Sequence, residues 1–183
     1  DLDSDVIADR LTVDAASGID LDTTVAELDA SVSGTGSVLI DETDGINLLD
    51  VDTSDGIVNV EADGQIVATD VDTSAADDGT NDITLTSTGA GIEAGFINAG
   101  SANDVFLEAQ GGAITQDGDV DPDVIAEVLT AYALGGIDLD TAIAEIDADA
   151  DAAGDIVIDE ADDIDLVDVR TADGSVWVEA EGE

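Results

Sequence analysis

The chemistry open to this chain is that of carboxylates. Of its 183 residues, 47 are Asp or Glu, set against two Arg, no Lys, no His and no Cys, for a formal charge of −45. Hard oxygen donors at short spacing suit hard cations, calcium first. The sharpest candidate is residues 149–160, DADAAGDIVIDE. Asp149, Asp151, Gly154 and Glu160 fall at the first, third, sixth and twelfth places of an EF-hand-type loop, and Asp155 adds a further carboxylate. The fifth place is Ala153, which carries no side-chain oxygen. The favoured reading of the same residues is a chain corner followed by a strand. The pairs Asp20/Asp22, Asp50/Asp52 and Asp138/Asp140 put alternate carboxylates on one face of a strand, where neighbouring coils could share a cation, though the favoured reading is a solvated acidic face. GTNDITL at residues 79–85 is a fainter glycine–aspartate calcium signal without consecutive repeats. No cofactor is required by these residues, and calcium is the one candidate.

Catalysis has little to work with. Without His, Cys or Lys, most acid–base and nucleophilic arrangements are closed. Two carboxylates can cleave a glycoside, but such clefts hold sugar with cations or aromatic rings. Only Phe96, Phe106, Tyr132 and Trp177 could stack on a sugar. The glycines at 89–91 lack the Lys and the helix of a phosphate loop. The expectation is a protein that is not an enzyme. Nucleic acid is excluded as a partner because phosphate contacts need Lys and Arg. No apolar run is long enough for direct membrane insertion, and the absence of Cys removes disulfides and thiolate metal sites.

The elements that must position these carboxylates are legible from a repeat. Shifting the chain by 118 residues lays 3–65 over 121–183 without a gap, with 35 of 63 positions identical. GIDLDTTVAELDA at 18–30 returns as GIDLDTAIAEIDA at 136–148. Residues 1–118 therefore read as one full module and 119–183 as a partial second copy, in one continuous solenoid. Within the module, alternating apolar residues mark strands rather than helices. Taking Val13, Ile40, Val60, Leu85, Leu107, Ala131, Ile158 and Val178 as inward anchors gives steps of 20–27 residues, and about five coils per module. An Ile follows each anchor but the last by six or seven residues (Ile19, Ile46, Ile66, Ile92, Ile114, Ile137, Ile164), usually after a Gly or Asp that turns the chain. A third short strand follows, as in LDA at 28–30 and VDT at 51–53. Strand, turn, strand, turn, strand is the pattern of an all-β, three-sided parallel β-helix. Residues 121–134, DPDVIAEVLTAYAL, have a helix-compatible composition; the aligned DSDVIADRLTVDAA alternates like a strand, so both copies are read as strand with Pro122 in a corner.

The coils resemble the right-handed parallel β-helix repeats of filamentous-haemagglutinin-like exoproteins and autotransporter adhesin passengers. The residues that carry the likeness are SGIDLD at 17–22, GGAIT at 111–115 and TGAGIEAG at 88–95. The resemblance implies an extracellular or cell-surface location and a structural or adhesive rod segment of a large secreted protein. Its partners would be neighbouring modules of the same chain, with end-to-end self-association through open coil ends. Residues following Glu183 should then read like 66–73, IVATDVDT. The alternative is a calcium-, carbohydrate- or partner-binding module, and a polysaccharide-active enzyme is the outsider. In this chain Asp takes outward places that such repeats fill with Asn, Ser or Thr. Carboxylates on adjacent coils, about 4.8 Å apart, repel by roughly 0.9 kcal/mol in water. Salt near 1 M screens that to roughly a fifth, so the surface is expected to suit high salt or divalent cations.

Overall fold

In the computed structural model, which describes residues 4–182, the chain is all-β and winds into a parallel solenoid of about nine turns. The strands are β1 (Val6–Ala15), β2 (Ile19–Thr35), β3 (Val38–Glu42), β4 (Ile46–Asp55), β5 (Val58–Ala62), β6 (Ile66–Ala68), β7 (Val71–Asp72), β8 (Ile83–Ser87) and β9 (Ile92–Ala94). They continue as β10 (Ile97–Asn98), β11 (Val105–Ala109), β12 (Ile114–Gln116), β13 (Val124–Ala133), β14 (Ile137–Ala150), β15 (Ile156–Glu160), β16 (Asp165–Thr171) and β17 (Val176–Ala180). A single 3₁₀ turn, Ser74–Ala76, is the one helical element among the described residues.

Three parallel ladders run along the solenoid. The first stacks the start of β2 on β3, β5, β8 and β11, then on the ends of β13 and β14 and on β16. The second joins β4, β6, β9, β12, the start of β14, β15 and β17. The third joins the end of β4 to β7, β10, the start of β13 and the middle of β14. Alternation decides what goes inside. In β3 and β5 the burial runs inward at Val38, Ile40 and Glu42, and at Val58, Val60 and Ala62, while the residues between them face out. Ile46, Ile66, Ile92, Ile114, Ile137 and Ile156 stack rung on rung along the second ladder, each at most 2% exposed. β-branched side chains at this pitch fill a narrow interior that has no room for aromatics.

The strand expected over 121–134 is β13, and Pro122 lies in the corner before it, where no ladder bond is lost. The anchors need correction. Ile40, Val60, Leu85, Leu107 and Ala131 share the first ladder. Val13 instead pairs with Ala30, and Ile158 with Leu139 and Val178. The two steps read as 27-residue coils each hide a rung, Leu21 before Ile40 and Ala148 after Ala131. The cause is that β2 and β14 run for 17 and 14 residues through positions the spacing marks as turns. The tightest turns take 17 residues (Val6 beside Thr23, Val124 beside Thr141) and the widest 27 (Ile97 beside Val124). The module consequently advances five turns and part of a sixth. β3 lies on the first ladder and its aligned partner β15 on the second.

Candidate functional site

The four residues of the EF-hand-like segment are placed by three different features of one corner. Asp149 lies near the end of β14, facing out, where its carboxylate accepts hydrogen bonds from Arg170 Nε at 2.9 Å and Nη2 at 2.6 Å. Asp151 is exposed in the corner after β14, and Asp155, also exposed, accepts the Ser175 backbone N–H at 2.7 Å. Glu160 points the other way. It has the inward parity of Ile156 and Ile158 on β15 and is fully buried. The structure does not bring the four together, and among the described residues no group of three or more acidic side chains is placed to hold a metal ion. Gly154, at the sixth place of that loop, answers to packing: a Cβ there would run into the Gly136 backbone one coil below. The same stacking puts Gly56 against Gly36 and Gly174 against Gly154.

Glu160 belongs to a device that recurs in both copies. Its Oε2 accepts Thr141 Oγ1 at 2.7 Å and Ile143 N–H at 3.2 Å, and its Oε1 accepts Asp162 N–H at 3.2 Å. The aligned Glu42 accepts Thr23 Oγ1 at 2.8 Å, Val25 N–H at 2.9 Å and Asp44 N–H at 3.3 Å. A buried carboxylate thus ties a corner to the coil beneath it, satisfying donors that would otherwise be lost where the ladder bends. Burial pushes the Glu160 carboxyl up, against the hydrogen bonds from Thr141 and the two backbone N–H groups. The sequence held the signal, because Glu42 and Glu160 are in phase with the inward residues before them.

A second device fills the GTNDITL corner. Asn103 is buried; its Oδ1 accepts Gly79 N–H at 2.8 Å and Asn81 N–H at 3.0 Å, and its Nδ2 donates to Ala99 O at 2.6 Å. Asn81, buried beside it, donates to the Ala76 carbonyl. An asparagine stack therefore serves where calcium was weighed. Nearby, Asp77 accepts Ser101 Oγ and Ala102 N–H, which hold its carboxyl below the usual range.

The acidic outer faces form stacks. Asp22, Asp41 and Glu61 occupy successive rungs, as do the aligned Asp140, Asp159 and Glu179. Of the other pairs, Asp20 and Asp138 are exposed and Asp52 is half-buried. A surface groove of about 350 Å³ is lined by Asp50, Asp52, Asp70, Asp72, Ser74 and Phe96. Desolvation first, then the neighbouring carboxylates, raises the pKa of Asp52 and Asp70. Asp72 is held by Ser74, whose N–H and hydroxyl it accepts at 2.7 and 2.6 Å. Such a groove favours whatever neutralises it, a proton or a cation. The most perturbed acid is Asp123, 1% exposed, whose Oδ2 accepts Asp140 N–H at 2.7 Å. Burial pushes it up to about 7, with Asp140, Asp117 and Asp119 adding to the rise. The aligned Asp5 makes the same bond to Asp22 N–H at 3.2 Å but is exposed. Of the aromatics, Phe106 and Tyr132 meet edge to face on the first ladder, centroids 5.8 Å apart. Phe96 borders the acidic groove, and Trp177 stands on the last rung, 64% exposed.

What these features define is a parallel β-solenoid with an aliphatic interior, polar corner staples and acidic outer faces. Comparison with protein-family models, curated proteins and solved structures finds no match to this chain.

Proposed function

We propose that the chain is a non-enzymatic rod segment of a large secreted or cell-surface repeat protein, of the adhesin-like kind its coils resemble, with an acidic surface suited to high salt or divalent cations. The observation that supports this reading is the junction between the copies. β11 pairs with β13 through five consecutive residues and β13 pairs with β14, so the ladder crosses from one copy to the next without a break. The pairing of β13 with β14 repeats that of β1 with β2 residue for residue. Modules joined in this way transmit load and length along one axis, as nearest-neighbour stacking does in solenoids. Small-angle scattering tests the reading. Adding one more 118-residue copy should lengthen the particle by roughly 25 Å, a little over five rungs at about 4.8 Å, at constant cross-section. An increase in cross-section instead would reject the rod.

A binding role is the second reading, supported by the groove at Asp50, Asp52, Asp70 and Asp72. Calorimetric titration with calcium separates the two. Heat that disappears on replacing Asp52 and Asp70 with Asn supports the module. No heat and no thermal shift at millimolar calcium leaves the rod.

A further inference from the structure

We propose that the outer face of the first ladder, where Phe106 and Tyr132 meet, binds a neutral oligosaccharide, with the two rings as its stacking platform and the threonine hydroxyls and Glu108 around them as its polar contacts. The site lies on a different ladder from the acidic groove at Asp52 and Asp72, and its test is independent of the rod reading.

Register places the platform. Phe106 pairs with Thr84 and Thr130, and Tyr132 with Glu108 and Asp149. The two aromatics are thus diagonal neighbours on successive rungs, within reach of each other for side chains of this length, and their rings meet edge to face with centroids 5.8 Å apart. The Tyr132 hydroxyl donates to Asp147 on the next rung. A ring held both at its edge and at its hydroxyl is pre-organised, so little freedom is lost when a ligand lies on it. The pair spans the junction of the two copies. Phe106 belongs to the last coil of the first copy and Tyr132 to the first coil of the second, where the aligned residue of the first copy is Asp14. β8 flanks the pair on one side and β14 on the other, so this is an interior stretch of the face.

The charge pattern says what the platform takes. On the rungs of β8, β11 and β13 the outward residues are Thr84 and Thr86, Phe106 and Glu108, Thr130 and Tyr132, so Glu108 is the one carboxylate. Carboxylates return on either side, at Glu61 before and at Asp147 and Asp149 after. An anionic ligand is repelled by those rows and by the overall charge of −45. A cationic one finds a denser carboxylate stack further along the same face, at Asp22, Asp41 and Glu61. A patch of rings and hydroxyls suits an uncharged molecule with apolar faces and hydroxyl edges, which is the chemistry of a neutral pyranose. Its C–H face lies on the rings, and its hydroxyls pair with Thr84, Thr130 and Glu108. Beside Tyr132 a notch of about 150 Å³, lined in part by Glu108, Gln110 and Leu134, offers further polar contacts off the platform. Rungs recur every 4.8 Å or so, so a sugar chain laid along the axis meets one rung after another.

The test titrates the full chain with three uncharged probes, cellohexaose, laminarihexaose and chitohexaose, and follows backbone amide shifts by NMR. At least one probe should shift amides of β8, β11 and β13 saturably, while those of β4 and β7 at the acidic groove stay in place. Tyr132→Asp, which installs the residue of the aligned coil, should weaken that binding at least about tenfold. Phe106→Thr, which installs the residue of the neighbouring rung, should do the same, and it carries the comparison if Tyr132→Asp does not fold. Tyr132→Phe keeps the ring and should leave binding nearly unchanged, as should Phe96→Thr on the third ladder. Circular dichroism melts establish that each variant is folded. No shift with any of the three sugars overturns the proposal. So does binding that survives the loss of either ring, which would leave the pair as a cross-strand contact that fastens the junction. Tetralysine shifting the same amides where the sugars shift none assigns the face to a cationic partner. A galacturonic acid oligomer binding more tightly than the neutral probes assigns it to an anionic one. Either result overturns the proposal as well.

Discussion

Replacing Asp123 with Asn should stabilise the protein by an amount that grows as the pH rises from about 4 and levels off above about 7. Asp123 sits in the corner before β13 with its side chain buried, facing Asp140 on β14 and near Asp117 and Asp119 beyond β12. Its pKa rises from 3.8 to about 7, so the folded state holds a proton there that the unfolded chain releases. A carboxyl raised in this way adds stability that is fully present below about pH 3.8 and is lost as the pH climbs through about 7. At face value the shift is worth about 4 kcal/mol. The groove lined by Pro122, Asp140 and Thr141 opens this corner to solvent screening, and about 2 kcal/mol is the working figure. Asn keeps the oxygen that accepts Asp140 N–H and removes the charge. At pH 8 in 1 M NaCl, Asp123→Asn should raise Tm by roughly 4–8 °C, followed by circular dichroism. At pH 4 the gain should vanish, because Asp123 is then already neutral. Asp5→Asn supplies the control: the same backbone bond in an exposed setting should change stability by less than about 0.5 kcal/mol at either pH. A variant of Asp123 that is neutral or less stable at pH 8 would refute the reasoning.

The whole chain should follow the same sign, since burial raises Asp52, Asp70, Asp104, Asp140 and Glu160 as well; thermal melts should move upward from pH 7 toward pH 4, and a downward move would contradict it. Raising NaCl from 0.1 to 1 M at pH 7.5 should increase Tm by several degrees as the Asp22–Asp41–Glu61 and Asp140–Asp159–Glu179 stacks are screened, with an unchanged melt counting against that account. Glu160→Ala strips partners from Thr141 Oγ1 and two backbone N–H groups and should cost about 2–4 kcal/mol in denaturant melts, with Glu160→Gln recovering most of it; a loss under 0.5 kcal/mol would dismiss the staple. Gly154→Ala should destabilise by more than about 1 kcal/mol through contact with the Gly136 backbone, and a neutral result would show that the corner can open.

The legible part of this molecule is what period and parity carry. Alternation at Val38, Ile40 and at Val58, Val60 is enough to assign strands and their inner faces, because one wrong step would bury acids and expose the core. The ladder each strand joins is less legible. Ile158 looks equivalent to Ile40, as the sequences around them are nearly the same, yet the two stand on different ladders. That assignment depends on how many residues each corner consumes, a sum over corners such as Ala16–Ser17 and residues 151–155. Composition at those places does not declare whether the chain turns or runs on. The site followed the same division. Glu160 read as a ligand because spacing was counted along the chain, while its parity with Ile156 and Ile158 already pointed it inward.

That part-turn advance has a consequence for the charge. The Asp22–Asp41–Glu61 stack faces out from the first ladder, whereas its aligned stack, Asp140–Asp159–Glu179, faces out from the second. A module of five whole turns would have kept both on one side, roughly 24 Å apart along the axis at about 4.8 Å per rung. At physiological salt the Debye length is about 8 Å, so stacks that far apart hardly interact in either arrangement. Spreading them therefore contributes little to stability, and the repulsion that matters is between adjacent rungs within each stack. What the advance changes is the outline a partner meets. Carboxylate stacks look out in more than one direction, so a basic partner or a layer of cations can approach this solenoid from several sides.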